Sequence, residues 1–410
     1  MIVLTGADLV LPDRILTAGT LTIDEGRISE IRAESQAAGS APFAFHGLTI
    51  VPGFIDVHVH GVSGTDTLDE GDAVQRIADA LPRFGVTSFC PTTVACRPAD
   101  LRQMLNQVRH ARETPRRGGA RVLPAHLESN FINPDYRGAQ PLACLRIPAG
   151  PGNAHAATDS GDFTAADILE VIETHAPDIA VVTLAPELEG AIELIAWLTS
   201  RSIRVSLGHS HATCDQGLAA IAAGARRATH LFNCMPPLHH REPGLAGAIL
   251  QSDEVAVELI CDGVHVHPAL VRMVVAAKKA SRVMAISDGT AAAALPPGAP
   301  ARLGGQTIVA TDTCARLADG TMAGSTITMD EAFRRLTGMM GVSVVDAATM
   351  CATTPARELG LVGHGVLAEG AAADLVVLDR FGSVVQTYVS GRLAYARAAH
   401  EGNRAPATSV

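Results

Sequence analysis

Short apolar runs alternate with alanine-rich amphipathic stretches through the middle of the chain. The runs predict eight strands, at residues 53–58, 87–91, 121–127, 179–184, 204–207, 227–230, 255–261 and 282–286. The helices predicted between them include residues 72–83, 99–112, 164–175, 188–200 and 268–279. Strands that alternate with helices are typical of a parallel sheet, and eight units in about 300 residues favour a (β/α)₈ barrel over an open sheet.

The two ends of the chain have a different pattern, of short strands joined by turns. Residues 21–31 form a predicted hairpin, and two more strands are predicted at 373–379 and 384–389. Neither end carries enough apolar surface to fold alone. We therefore expect one small β-sandwich domain, built from residues 1–50 and 351–400, beside a barrel of residues 51–350. Residues 401–410 are expected to form a flexible tail.

Composition limits the classes of partner. The chain has 410 residues and a net charge of −10, from 32 basic and 42 acidic side chains, which argues against a nucleic-acid partner. No apolar run reaches the roughly 18 residues of a membrane span, and the first residues lack the features of a signal peptide. The eight cysteines include no CxxC pair. This pattern predicts reduced thiols and a cytoplasmic location.

Five of the eight predicted strands end in a potential metal ligand or acid–base group. In a barrel, function lies at the carboxyl ends of the strands. His58 and His60 are two residues apart, so both side chains face one side of an extended segment and can meet one ion. The complete set of candidates is His58, His60, Glu128, His209, His230 and Asp288.

These residue types predict a metal centre of one or two divalent ions. Imidazole and carboxylate ligands suit Zn²⁺, which is our first expectation, with Fe²⁺ and Mn²⁺ as alternatives. Glu128, His209 and His230 would hold one ion. His58 and His60 would hold a second, which Glu128 is placed to bridge. Asp288 would take a proton from the attacking water and pass it to the leaving group.

Several segments resemble the N-acetylglucosamine-6-phosphate deacetylases of the amidohydrolase superfamily. Residues 208–213 are similar to the family segment GHSxAT, and residues 228–236 to THLFNAM. Further similar segments follow in the family's order along most of the chain: 183–187, 241–248, 262–266, 323–325, 352–356 and 365–378.

The resemblance implies a specific reaction, the hydrolysis of N-acetyl-D-glucosamine 6-phosphate to glucosamine 6-phosphate and acetate. It implies that the six candidates above are the metal ligands and the acid–base group. Arg241 and His265 match the positions that bind phosphate, and Asn233 and Cys234 match positions near the sugar. The resemblance also implies a homodimer, in which the partner subunit often completes the phosphate site.

Three residues near the reaction centre depart from the family pattern. Ser129 and Asn130 replace a Gly-Pro pair, and Gln140 replaces a histidine that polarises the substrate carbonyl. Gln140 still offers an N–H to the substrate, but a neutral amide stabilises an oxyanion less strongly. These changes leave open a sister amidohydrolase that acts on another N-acyl substrate, such as N-acetylgalactosamine 6-phosphate. A non-catalytic binding module is disfavoured, because all six candidates are present.

Overall fold

The strands of the described residues belong to four sheets. The computed structural model describes residues 1–33, 45–148 and 162–398, so the predicted tail lies outside the described residues. The strands in chain order are β1 Ile2–Val10, β2 Ile15–Asp24, β3 Arg27–Ala33, β4 Thr49–Pro52, β5 Phe54–Val59, β6 Gly61–Val62, β7 Thr65–Asp66, β8 Val86–Thr93, β9 Arg121–Val122, β10 Ala125–Glu128, β11 Ile179–Leu184, β12 Arg204–Leu207, β13 Arg227–Ala228, β14 Ala256–Ile260, β15 Val283–Ile286, β16 Pro300–Leu303, β17 Gln306–Ala310, β18 Ala315–Arg316, β19 Leu375–Leu378, β20 Val384–Val389 and β21 Arg392–Ala396.

Most of the helices lie between the strands of the middle region. They are α1 Ala73–Ala80, α2 Pro98–Glu113, α3 Ala165–Thr174, α4 Ala191–Ser200, α5 Cys214–Ala222, α6 Gly244–Gln251, α7 Pro268–Lys278, α8 Met329–Gly338, α9 Val344–Ala348 and α10 Thr354–Leu359. The predicted helix 72–83 ends early, because Pro82 lies in a 3₁₀ turn that leads to Gly85 at φ 78°. No helix among the described residues is long and apolar enough to cross a membrane.

The eight predicted strands of the middle region form a parallel barrel, which confirms the predicted fold class. Its order is β5, β8, β10, β11, β12, β13, β14 and β15. The first and last strands meet through a parallel bridge between Val59 and Gly289. The main chain of Asp288 also donates to the carbonyl of His58 at 3.1 Å. This closure brings the carboxyl ends of the first and last strands together.

Two predicted strands differ most from the strands of the structure. The prediction for residues 121–127 divides into β9 and β10, because Pro124 lies between them and has no N–H for the sheet. The prediction for residues 227–230 shortens to β13, and His230 lies in the turn that follows, at φ 28°. Both changes occur close to residues predicted to act in the site.

A seven-stranded sheet from both ends of the chain forms the small domain. Its order is β21, β20, β19, β4, β1, β2 and β3, so β4 joins the strands of the two termini. Its apolar face has its own core, which includes Leu4, Ile28 and Leu375. The sheet lies beside the barrel rather than inside it.

A small sheet of β16, β17 and β18, which was not predicted from the sequence, follows the last barrel strand. Its strands pair in antiparallel order between residues 300 and 316. Leu303 at the end of β16 is buried and lies at the wall of the central cavity. This sheet therefore covers one side of the carboxyl end of the barrel.

Candidate metal centre and active site

The first group of candidate ligands comes from three strand ends. Glu128 is the last residue of β10, and His209 and His230 follow β12 and β13. Both histidine Nε2 atoms approach the same oxygen, Oε1 of Glu128, at 2.9 and 2.8 Å, and they lie 3.1 Å from each other. All three side chains are buried. Two imidazole nitrogens and one carboxylate oxygen that converge on one point are a donor set that suits a divalent ion such as Zn²⁺.

The second group lies next to the first, at the point where the barrel closes. The Nε2 atoms of His58 and His60 are 3.1 Å apart, and each is 3.3 Å from Oδ1 of Asp288. Glu128 lies between the two groups, with its carboxylate oxygens 3.7 Å from Nε2 of His58 and 3.5 Å from Nε2 of His60. The six side chains predicted from the strand ends therefore form one continuous buried cluster.

The charges of this cluster favour ionised carboxylates. Burial by itself raises the pKa of Glu128, but the charge of His209 and hydrogen bonds from the histidines bring it well below its usual value. Burial likewise raises the pKa of Asp288, and the charge of His58 with the hydrogen bond from His60 outweighs burial, so the net shift is downward. Asp288 is therefore ionised at neutral pH and able to accept a proton.

Three of the six side chains lie on strained backbone. His209, His230 and Asp288 have φ values of 49°, 28° and 48°, in the left-handed region that L residues rarely adopt. Each follows the end of a barrel strand, where the chain turns sharply. Strain of about 1–3 kcal/mol per residue persists only where surrounding structure fixes it. Its position at these three residues indicates that the turns are held to aim the side chains at one point.

A cavity of about 130 Å³ opens above the cluster. Its wall combines candidate ligands with loop residues and with residues in or after the sheet of β16, β17 and β18. The lining residues are His60, Val94, Glu128, Gly138, Ala139, Gln140, His209, His230, Asn233, Cys234, His265, Asp288, Leu303, Met322 and Gly324. A polar floor and a partly apolar wall are typical of a site for a small molecule.

Gln140 lines the cavity in an orientation that the sequence did not reveal. Its Oε1 accepts from the main-chain N–H of Ala95 at 2.7 Å, and its Nε2 donates to Oε2 of Glu128. Because a main-chain N–H can only donate, the contact with Ala95 fixes which end of the amide is oxygen. The amide N–H that was expected to reach the substrate carbonyl is therefore bonded to a candidate metal ligand.

The predicted substrate contacts divide into two sets. Asn233, Cys234 and His265 line the cavity, and Nδ1 of His265 is 2.5 Å from Oδ2 of Asp262. Arg241 is exposed on the loop before α6 and is absent from the cavity wall of this chain. Its phosphate-binding role stays a prediction, and within one subunit the structure does not bring it to the site.

Ser129 and Asn130, which also differ from the family pattern, are buried and form hydrogen bonds to the main chain. The hydroxyl of Ser129 donates to the carbonyl of Thr183 at 2.6 Å. Nδ2 of Asn130 donates to the carbonyls of Cys96 and Cys144, each at 2.7 Å. These hydrogen bonds fix the loop after β10 in place of the rigidity of a proline.

Sequence reasoning missed a buried polar group behind the site. Nδ1 of His58 is 3.0 Å from Oε2 of Glu258, and Nη2 of Arg227 is 2.9 Å from Oε1 of the same carboxylate. Burial raises the pKa of Glu258, but His126 and the hydrogen bond with His58 lower it to about 2. The signal was a charged residue inside the apolar run 255–261, since such residues are rarely buried without a partner.

Comparison with known proteins agrees with this geometry. The family model described as "Amidohydrolase family" matches residues 49–394. The N-acetylglucosamine-6-phosphate deacetylase of Bacillus subtilis is 33% identical over 94% of this chain and 95% of its own. The N-acetylgalactosamine-6-phosphate deacetylase of Escherichia coli O157:H7 is 36% identical over 84% of this chain and 87% of its own.

A solved structure extends the likeness to three dimensions. A mutant N-acetyl-D-glucosamine-6-phosphate deacetylase from Mycobacterium smegmatis, in complex with N-acetyl-D-glucosamine-6-phosphate, has a TM-score of 0.85 and 32% identity. The match covers 96% of this chain and 99% of that one. This chain therefore belongs to the amidohydrolase family, in the branch that contains the N-acetylglucosamine-6-phosphate deacetylases. The family predicted from the sequence is confirmed, and so is the class of metal-dependent amidohydrolase.

Proposed function

We propose that this protein hydrolyses the acetamide of N-acetyl-D-glucosamine 6-phosphate and releases acetate and glucosamine 6-phosphate. The observation that carries the proposal is the convergence of Glu128, His209 and His230 beside an ionised Asp288 at the floor of the cavity. The relatives named above, including one in complex with this sugar phosphate, support the choice of substrate.

Different residues of the site would bind the metal ions and transfer the proton. Glu128, His209 and His230 would hold the primary divalent ion, and His58 with His60 would hold a second. Such an ion polarises a carbonyl and makes water more acidic. Asp288 accepts the proton of the attacking water at its carboxylate and then donates it to the nitrogen of the leaving amine. Proton transfer of this kind contributes about 10²–10⁴-fold to a rate.

The cavity wall determines how the sugar is held. Nδ1 of His265 is bonded to Asp262, which fixes the orientation of the ring, and the imidazolium form has a second N–H, at Nε2, for an anionic group. Asn233 lines the same cavity, and its Nδ2 donates to the main-chain carbonyl of His230 at 3.1 Å. We assign His265 to the phosphate, and Asn233 to the sugar through its amide oxygen.

We further propose a homodimer, Zn²⁺ as the metal and a cytoplasmic location. An exposed Arg241 that does not reach its own cavity supports a site completed by the second subunit. The nitrogen and oxygen donor set supports zinc over softer metals. All eight cysteines are free, which agrees with a reducing compartment.

N-acetylgalactosamine 6-phosphate is a second candidate substrate, because a deacetylase of that compound is 36% identical to this chain. The test compares acetate release from the glucosamine compound, its galactosamine epimer and unphosphorylated N-acetylglucosamine under identical conditions. We expect the highest kcat/KM for N-acetylglucosamine 6-phosphate and a large loss without the phosphate. A higher kcat/KM for the galactosamine epimer would identify the second candidate as the substrate. Equal rates with the unphosphorylated sugar would show that the site does not recognise phosphate.

A further inference from the structure

On the side away from the cavity, the ring of His58 contacts a buried carboxylate that is itself paired with a buried arginine. Its ring Nδ1 is 3.0 Å from Oε2 of Glu258, and Oε1 of that carboxylate accepts from Arg227 at 2.9 Å. The three residues come from β5, β14 and β13, so the chain of contacts crosses the barrel interior. All three side chains are at most 1% exposed.

The geometry determines which nitrogen of His58 carries a proton. An ionised carboxylate only accepts hydrogen bonds, so the contact with Glu258 requires an N–H at Nδ1. The lone pair of a neutral ring then lies on Nε2, which faces His60, Asp288 and Glu128. Nε2 of His58 is thereby presented as a metal ligand.

The other candidate ligands lack this arrangement. Nδ1 of His60 and Nδ1 of His230 are buried without a hydrogen-bond partner, and Nδ1 of His209 donates to a neutral group, the carbonyl of Tyr136, at 2.8 Å. Among the four histidines proposed as ligands, only His58 has a carboxylate within hydrogen-bond distance of its Nδ1. Hydrogen bonding of this kind makes imidazole a stronger ligand.

Nearby His126 does not take the place of His58 in this network. Its Nδ1 donates to the carbonyl of Val57 at 3.1 Å, and its Nε2 is 2.7 Å from Oγ1 of Thr183. Its Nδ1 is 4.0 Å from Oε1 of Glu258, too far for a hydrogen bond. Arg227 is therefore the charged partner that fixes the carboxylate.

We propose that Glu258, held by Arg227, is a positioning residue that fixes the tautomer of His58 and thereby sets the affinity of the second metal ion. The inference rests on the proposed function, because it concerns the second of the two metal ions assigned there. Glu258 touches neither the cavity nor the substrate position, so its effect passes through His58.

The test measures metal binding rather than turnover. Apoprotein is titrated with Zn²⁺ in competition with a chromophoric chelator, and the visible spectrum of the Co²⁺-loaded protein reports the ligand field. The variant His58→Ala identifies which binding event belongs to the His58/His60 pair. We expect Glu258→Gln to weaken that event about 10- to 100-fold and to leave the event at Glu128, His209 and His230 unchanged.

Two further variants separate positioning from loss of stability. Asp178→Asn is the matched control, because Asp178 is also buried and paired with two arginines, Arg109 and Arg112, but contacts no candidate ligand. Should Glu258→Gln fail to fold, the double variant Arg227→Met with Glu258→Gln removes both charges and leaves no unpaired one. It is expected to show the same selective loss.

The outcomes are distinct. Selective weakening of the pair's event in the Glu258 variants, but not in Asp178→Asn, supports the proposal. Wild-type protein that binds one ion per subunit, or a Glu258 variant with both affinities intact, overturns it. If the metal result is as expected but no sugar phosphate is hydrolysed, the proposed function fails while the positioning role stands. If the sugar phosphate is hydrolysed but the Glu258 variants bind the second ion with unchanged affinity, the proposed function stands and the positioning role fails.

Discussion

At the scale of single residues, the proposed reaction depends most on Asp288. Its carboxylate is ionised, lies 3.3 Å from two imidazole nitrogens and borders the cavity. Asp288→Asn keeps the shape of the side chain but cannot accept a proton. We expect kcat to fall by about 10³-fold or more while the primary ion stays bound. Steady-state kinetics beside metal analysis checks this, and near wild-type turnover in the variant would remove Asp288 from the acid–base role.

Gln140 gives a second prediction at this scale. The amide of Gln140 links Glu128 to the main chain of Ala95. Gln140→Ala should therefore lower the affinity for the primary ion about 10-fold and leave the buried N–H of Ala95 unpaired. Metal titration is the measurement. Gln306→Ala is the control, since Gln306 donates only to the carbonyl of Ala139 in the same loop. A drop in kcat with unchanged metal affinity would instead restore the carbonyl-polarising role expected from the sequence.

At the scale of elements, much of the fold follows from pattern. The apolar runs predicted all eight barrel strands, because strands of a parallel sheet are buried on both faces and read as continuous apolar segments. The strand ends likewise predicted the six side chains that converge. The sheet of residues 300–316 was missed, since its alternating short strands carry no strong apolar run. The orientation of Gln140 and the contact between Glu258 and His58 were also missed, because both depend on residues distant in the sequence.

The loop after β10 provides the test at this scale. Gly138 has φ 56°, and a Cβ there would lie 2.9 Å from Sγ of Cys234. Gly138→Ala should therefore shift Cys234 and the neighbouring His209, lowering kcat/KM about 10-fold, which corresponds to about 1.4 kcal/mol. Adding Cys234→Ala removes the clashing sulfur and should restore part of the loss. Independent effects of the two substitutions would contradict this contact.

At the scale of the whole molecule, Asp374 ties the small sheet to the barrel. Its carboxylate accepts from Arg121 at the start of β9 at 3.0 Å and from the main chain of Ser390 at 2.8 Å, and it contacts His364 at 2.9 Å. Burial raises its pKa, but the hydrogen bond from His364 and the charge of Arg121 outweigh burial and lower it. The ionised form therefore stabilises the folded chain.

Asp374→Asn is expected to lower the free energy of unfolding by about 2 kcal/mol at neutral pH. A lowered folded-state pKa means that this stability is complete above the ordinary value of 3.8 and is lost as the pH falls through the folded value. The difference in melting temperature between wild type and variant should thus be present at pH 5 and narrow as the buffer becomes more acidic than the ordinary value of 3.8. A difference that does not narrow in acid would show that the ionised carboxylate is not the source of the stability.

The proposed metal-dependent deacetylation is tested most directly by hydrolysis of N-acetylglucosamine 6-phosphate by one preparation in two states. Enzyme stripped with a chelator and the same enzyme reloaded with Zn²⁺ are assayed for the free amine and for acetate. We expect equal amounts of both products from the reloaded enzyme and almost none from the stripped enzyme. Unchanged hydrolysis after stripping, or none after reloading with ions shown to be bound, would contradict the proposed reaction.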